Sequence, residues 1–72
     1  MKVDFEFCNR NIKYFEFEIS TVPKKGQLIS FDNLKSDYGL PVDNYFKVKE
    51  VNITYNLKTM SENITITLKA IN

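Results

Sequence analysis

Tyr45-Phe46-Lys47-Val48-Lys49-Glu50-Val51-Asn52-Ile53-Thr54-Tyr55-Asn56-Leu57 carries two apolar alternations that do not share a phase. Phe46 and Val48 set the first, while Val51, Ile53, Tyr55 and Leu57 set the second. Alternation at period two marks a strand with one face buried. A slip of one residue inside such a strand is what a β-bulge produces, and here it falls near Lys49-Glu50. Bulges bend strands, and bent long strands let a small sheet curl on itself. The stretch predicts one long kinked strand in a curled sheet.

C-terminal to it, Lys58 to Asn63 reads as a turn. Ile64, Ile66, Leu68 and Ala70 then alternate with Thr65, Thr67 and Lys69 in a last strand. N-terminal to it, residues 32–44 hold turn formers throughout, including Gly39 and Pro41, and read as a long loop. A single helical turn near Asn33–Asp37 fits within it, and Leu34, Tyr38, Leu40 and Val42 equip the loop to fold over an open end of the sheet. Gln27 to Phe31 is a short strand with Ile29 and Phe31 on one face. Thr21 to Gly26 breaks the alternation, because Pro23 cannot sit in a central strand and Gly26 supplies turn freedom.

The first nineteen residues form a hairpin in this reading. Val3, Phe5 and Phe7 share a face in Lys2 to Cys8, and Phe15, Phe17 and Ile19 share one in Lys13 to Ile19. With Asn9-Arg10-Asn11 as the loop, Phe5 faces Phe15 and Val3 faces Phe17, so the two apolar faces coincide. Such a loop needs a left-handed residue at its third position, which Asn11 tolerates.

Five strands in 72 residues are too few for a two-sheet sandwich of immunoglobulin size. The expected architecture is all-β: one domain over residues 1–72, a five-stranded antiparallel bent sheet closing into an SH3-like barrel, with an OB-like barrel as second choice. Pro23 to Val51, with Pro and Gly before a short strand and a long loop before a bent one, looks like many small barrels. The resemblance is architectural and brings no functional residue with it.

Composition narrows the function classes. Ten Lys and Arg stand against nine Asp and Glu, and neither half of the chain is biased. This balance disfavours a strongly basic nucleic-acid surface or a polybasic membrane patch. No apolar run is long enough for a signal-peptide core or a transmembrane span. Cys8 is the single cysteine, so no internal disulfide can form, and a reducing, cytoplasmic setting is expected. Asn52-Ile53-Thr54 and Asn63-Ile64-Thr65 match the glycan acceptor pattern by chance in a chain with eight Asn.

Catalytic chemistry is poorly supplied. The chain has no His, which removes imidazole-dependent nucleophiles and the usual zinc sites. Two glycines, Gly26 and Gly39, cannot build a phosphate-cradling loop. Cys8, near Arg10, reads as an inert small residue. Asp4 opposite Glu16, with Glu6 and Glu18 on the same face, could bind a cation or share protons. The simpler account is a solvated face whose repulsion is relieved by Lys2 and by Lys47 and Lys69 of a neighbouring strand. Asp32, Asp37 and Asp43 lack calcium-loop spacing and read as turn residues.

The functional expectation is a non-catalytic binding or assembly module, with no cofactor and no metal. It would act through a sheet edge or through the 32–44 loop, with Tyr38, Leu40, Pro41 and Tyr45 as candidate partner contacts. A protein partner or self-association is expected, and no membrane. The competing account of Leu40 and Tyr45 makes them plugs of the barrel end. Single-stranded nucleic-acid binding is the alternative, using Tyr14, Tyr45, Lys47 and Lys49 as stacking and phosphate groups.

Overall fold

A computed structural model describes residues 1–8, 12–41 and 45–71. The described residues form five strands: β1 (Lys2–Cys8), β2 (Phe15–Glu18), β3 (Leu28–Ser30), β4 (Tyr45–Asn56) and β5 (Ser61–Ala70). They lie in one sheet in the order β2-β1-β5-β4-β3, curled into a half-barrel that stays open between its two edge strands, β2 and β3.

The hairpin register is the one the alternation implies: Phe5 pairs with Phe15, Asp4 with Glu16 and Val3 with Phe17. The Asn9-Arg10-Asn11 loop lies outside the described residues. β4 and β5 pair antiparallel with a register shift between Val48 and Glu50, which leaves Lys49 as the extra residue of a bulge. The phase slip in the sequence is therefore real. It keeps Val48 and Val51 on one face although they are three residues apart, with Leu68 and Ile66 as their partners.

Two expectations need correction. The sheet is mixed, not wholly antiparallel, because β1 pairs parallel with β5, from Asp4 opposite Thr65 to Cys8 opposite Lys69. The long connection from β2 to β4 gives the chain room to return, so the last strand enters the sheet running with the first. The 32–44 loop contains no helical turn among its described residues. Ser36 Oγ accepts from the amides of Tyr38 and Leu40, and the Ser36 amide donates to the Leu40 carbonyl. That local bonding closes a tight turn in which Lys35 bridges Pro41. Val42 lies outside the described residues.

β3 is shorter at both ends than the apolar pattern implies, but its ladder runs on. The Gly26 amide donates to the Val48 carbonyl and the Val48 amide donates to the Gln27 carbonyl. Gly26 has φ +89°, and the Gln27 amide closes the turn onto the Lys24 carbonyl. A positive φ at the third turn position is why a glycine stands there.

The core fills the concave side. Val3, Phe5, Ile12, Phe46, Val48, Ile64, Ile66 and Leu68 are buried, with Phe7, Phe15, Phe31 and Leu34 packed against them. Phe31, just past β3, holds this together across the opening. Its ring centroid lies 5.3 Å from Phe5, 5.5 Å from Phe15 and 5.8 Å from Phe46, mostly edge-to-face. One side chain thereby links both edges of the half-barrel through ring packing instead of a strand ladder.

Candidate functional site

Three surfaces follow from this architecture. The first is an arm. β1 meets β5 only from Thr65 onward, and β3 meets β4 only up to Lys47, with backbone bonds extending to Val48. The far halves of β4 and β5 continue as a two-stranded ribbon, pairing from Asn52 opposite Thr65 to Asn56 opposite Ser61. The molecule measures 40 × 25 × 21 Å. At the ribbon tip, Asn56 Oδ1 accepts from the amides of Lys58 and Thr59, and Met60 takes a left-handed φ of 54°. This is the local bonding by which Asn organises a turn.

The ribbon keeps the apolar alternation but lacks a cover. Ile53 is 47% exposed, Tyr55 65%, Leu57 81% and Met60 83%. Tyr55, Leu57, Met60 and Glu62 line a shallow hollow of about 380 Å³ at its tip. Among the described residues, no strand pairs with the outer edge of β4 beyond Val48. A lone two-stranded ribbon is only marginally stable in water. Val51 to Leu57 contains no charge, no proline and no glycine, so the devices that usually protect an exposed edge are missing.

The second surface is the seam between β2 and β3. Below the Phe15–Phe31 contact it opens into an apolar cleft of about 240 Å³, lined by Phe5, Phe17, Ile19, Pro23, Ile29 and Phe31 among others. The third is the convex side, where charge is segregated. Asp4 and Glu16 face each other, and the ion pairs there come from the chain terminus: Lys2 Nζ lies 3.7 Å from Glu16 Oε1 and the Met1 ammonium 2.6 Å from Glu18 Oε1. The Met1 ammonium, by hydrogen bond and charge, holds the Glu18 carboxyl below its ordinary value.

Lys47 and Lys69 do not serve the acidic face as the sequence implied. They are paired with each other, and Lys69 lies beside Cys8. Cys8 is half-buried, with its thiol 3.1 Å from the Leu68 carbonyl. Among the described residues, no three His, Cys, Asp or Glu side chains converge into a metal site. Among the described residues, no helix is long and apolar enough to cross a membrane.

The contacts predicted on the 32–44 loop are all surface residues. Tyr38, Leu40 and Tyr45 are each well over half exposed, and Pro41 is exposed as well. Leu40 and Tyr45 do not plug the barrel end; Leu34 and Phe31 pack on the core instead. Tyr38, Leu40 and Pro41 share the turn that Ser36 organises, whereas Tyr45 opens β4 on the far side of residues 42–44. Of the nucleic-acid set, Tyr45, Lys47 and Lys49 share β4. Tyr14 precedes β2, three strand spacings or roughly 14 Å away.

The arm is the surface that sequence reasoning missed. Alternation from Val51 to Leu57 reads as a buried face, because periodicity reports which residues share a side and not whether anything covers it. The length mismatch between β4 and its neighbours was the available signal. No family model matches the chain, and no curated protein or solved structure does either.

Proposed function

We propose that the chain is a non-catalytic binding and assembly module that works by strand addition at the outer edge of β4, with a second copy of itself as partner. The observation that carries this reading is the arm: a β-strand with an unpaired, charge-free edge and exposed Ile53 and Tyr55 on its apolar face. Antiparallel pairing of two such edges about a two-fold axis at Thr54 would set Ile53 against Tyr55 of the copy and Thr54 against its equivalent. Both are favourable cross-strand pairs, and the contact is self-complementary by symmetry. The charged residues of the arm, Lys58 and Glu62, sum to no net charge, so two arms meet without net repulsion.

In this reading the half-barrel is a small barrel of SH3-like type, or secondarily OB-like, left open between β2 and β3. The Tyr38–Pro41 turn and Tyr45 provide a further contact surface. The free thiol of Cys8 supports a reducing, cytoplasmic setting.

Light scattering over a wide concentration range tests the proposal. A contact of one strand pair lies at the small end of specific interfaces, so dissociation on the order of micromolar is expected. The mass should climb from the 8.5 kDa of one chain towards twice that value. Ile53→Lys and Tyr55→Lys should each keep the protein monomeric without unfolding it, since a charge pointing inward on an edge blocks pairing. A mass of 8.5 kDa at every concentration up to millimolar would overturn self-pairing.

Single-stranded nucleic-acid binding is the second reading, supported by Tyr45 beside Lys47 and Lys49 on one strand. A flat anisotropy titration with mixed oligonucleotides at low salt would remove it.

A further inference from the structure

Lys47 and Lys69 occupy directly opposite positions on the convex face. Like charges placed this way destabilise a sheet, and a sequence that keeps them invites a reason. Two more lysines converge on the same spot. Lys25 arrives from the turn before β3, and Lys49 from the bulge in β4. Together with Gly26 and Val48, the four line one shallow pocket of about 390 Å³.

The bulge shapes this pocket. Two residues, Lys49 and Glu50, stand against the single residue Thr67, so the strand bends where the lysines gather. The nearest carboxylates by register are Glu6 and Glu50, one pair along on the same face. Neither forms an ion pair with the four lysines among the described residues. Glu50 Oε1 accepts instead from Asn52 Nδ2 at 3.3 Å, on the arm side. Four lysines therefore line one concavity without an ion-paired carboxylate among the described residues.

We infer that this pocket binds a phosphate-bearing anion. One carboxylate would answer one of the four charges, whereas a phosphate chain carries several on adjacent oxygens. Lysine suits that task as a compact, mobile point charge that can bind any of them. The pocket lies at the core end of β4, away from the arm, so anion binding and self-pairing can be separated by mutation.

The test is a titration of the ¹⁵N-labelled full chain with inorganic tripolyphosphate at low salt, read by amide shifts. Saturable shifts should centre on Gly26, Lys47, Val48, Lys49 and Lys69. Lys47→Gln and Lys69→Gln should each weaken binding by about five-fold, the upper end for one exposed ion pair. Lys58→Gln at the arm tip should leave it unchanged. If either strand variant fails to fold, Lys25→Gln in the turn gives the same reading without touching the ladder. A twelve-nucleotide oligo-dT then identifies the source: displacement of tripolyphosphate from these amides means a phosphodiester backbone, and no displacement means a free polyphosphate. Shifts spread evenly over Lys2, Lys13 and Lys58, or no saturation, would overturn the site.

Discussion

Lys47 and Lys69 stand directly across from each other in the β4–β5 ladder, two lysines on the same side of the sheet. Replacing one should raise stability. Lys69→Thr is expected to gain about 0.2–1 kcal/mol at low salt, the range for a cross-strand charge pair. The gain should fade as salt screens the repulsion, and urea unfolding at two ionic strengths measures both. A variant no more stable than the parent at low salt would mean the two side chains splay apart.

Phe31 is the side chain on which the open edge depends. Its ring meets Phe5, Phe7, Phe15 and Phe46, and it touches both sides of the opening. Phe31→Ala should cost about 3 kcal/mol, the lower part of the range for removing a phenyl ring, because Phe31 is only half-buried. In a domain this small that is a large share of the total stability. Phe31→Leu should recover part of it. Thermal unfolding followed by tyrosine fluorescence or far-UV circular dichroism reads the order of the three proteins.

Met60 sits at φ 54° in the tip of the arm. A left-handed conformation costs a non-glycine residue about 1–2 kcal/mol. Glycine removes that strain and gives back part of it as unfolded-state entropy. Met60→Gly should therefore stabilise by about 0.5 kcal/mol, seen as a rise in urea midpoint with an unchanged slope. Destabilisation would show that the exposed thioether packs on something in solution, a copy of the arm first of all.

Glu18 gives a pH signature. Its carboxyl is held below the ordinary value of 4.5 by the Met1 ammonium. A depressed folded-state value means the contribution to stability is complete above 4.5 and is lost as pH falls through the lower, folded value. The group is fully exposed, so the effect is small. Glu18→Gln should flatten the stability profile below about pH 5 and leave its shape above that unchanged. An identical acid limb in both proteins would show that the ion pair contributes nothing.

The sequence made the local geometry readable and left the neighbours open. Residue spacing alone placed Phe5 against Phe15 and put the bulge near Lys49-Glu50, since side-chain period and turn length fix register within a hairpin. It also placed the core side chains of β1, β4 and β5 on their correct faces, though it did not mark Ile12 as core. It could not reveal that β1 lies beside β5, because alternation is silent about which strands meet. The same silence hid the pairing of Lys47 with Lys69. Each lysine reads as an ordinary outward residue, and the pocket exists only once β4, β5 and the Lys25 turn are assembled. Leu40 and Tyr45 are the converse case. Apolar character suggested a plug, but the hydrogen bonds of Ser36 hold Leu40 in an outward turn.

The parallel seam between β1 and β5 also sets an order of events. Asp4 and Thr65 are far apart in sequence, so the centre of the sheet cannot zip until β5 has been made. Closing so long a loop is costly before any long-range contact rewards it, which slows folding towards the millisecond-to-second range of topologically non-local domains. During synthesis the first hairpin would leave the ribosome with Val3, Phe5 and Phe7 in water and an open strand edge beside them, awaiting β5. A nascent chain halted before Ser61 should accordingly be sensitive to protease and prone to hold a chaperone, and emergence of the ten-residue strand β5 should end both together.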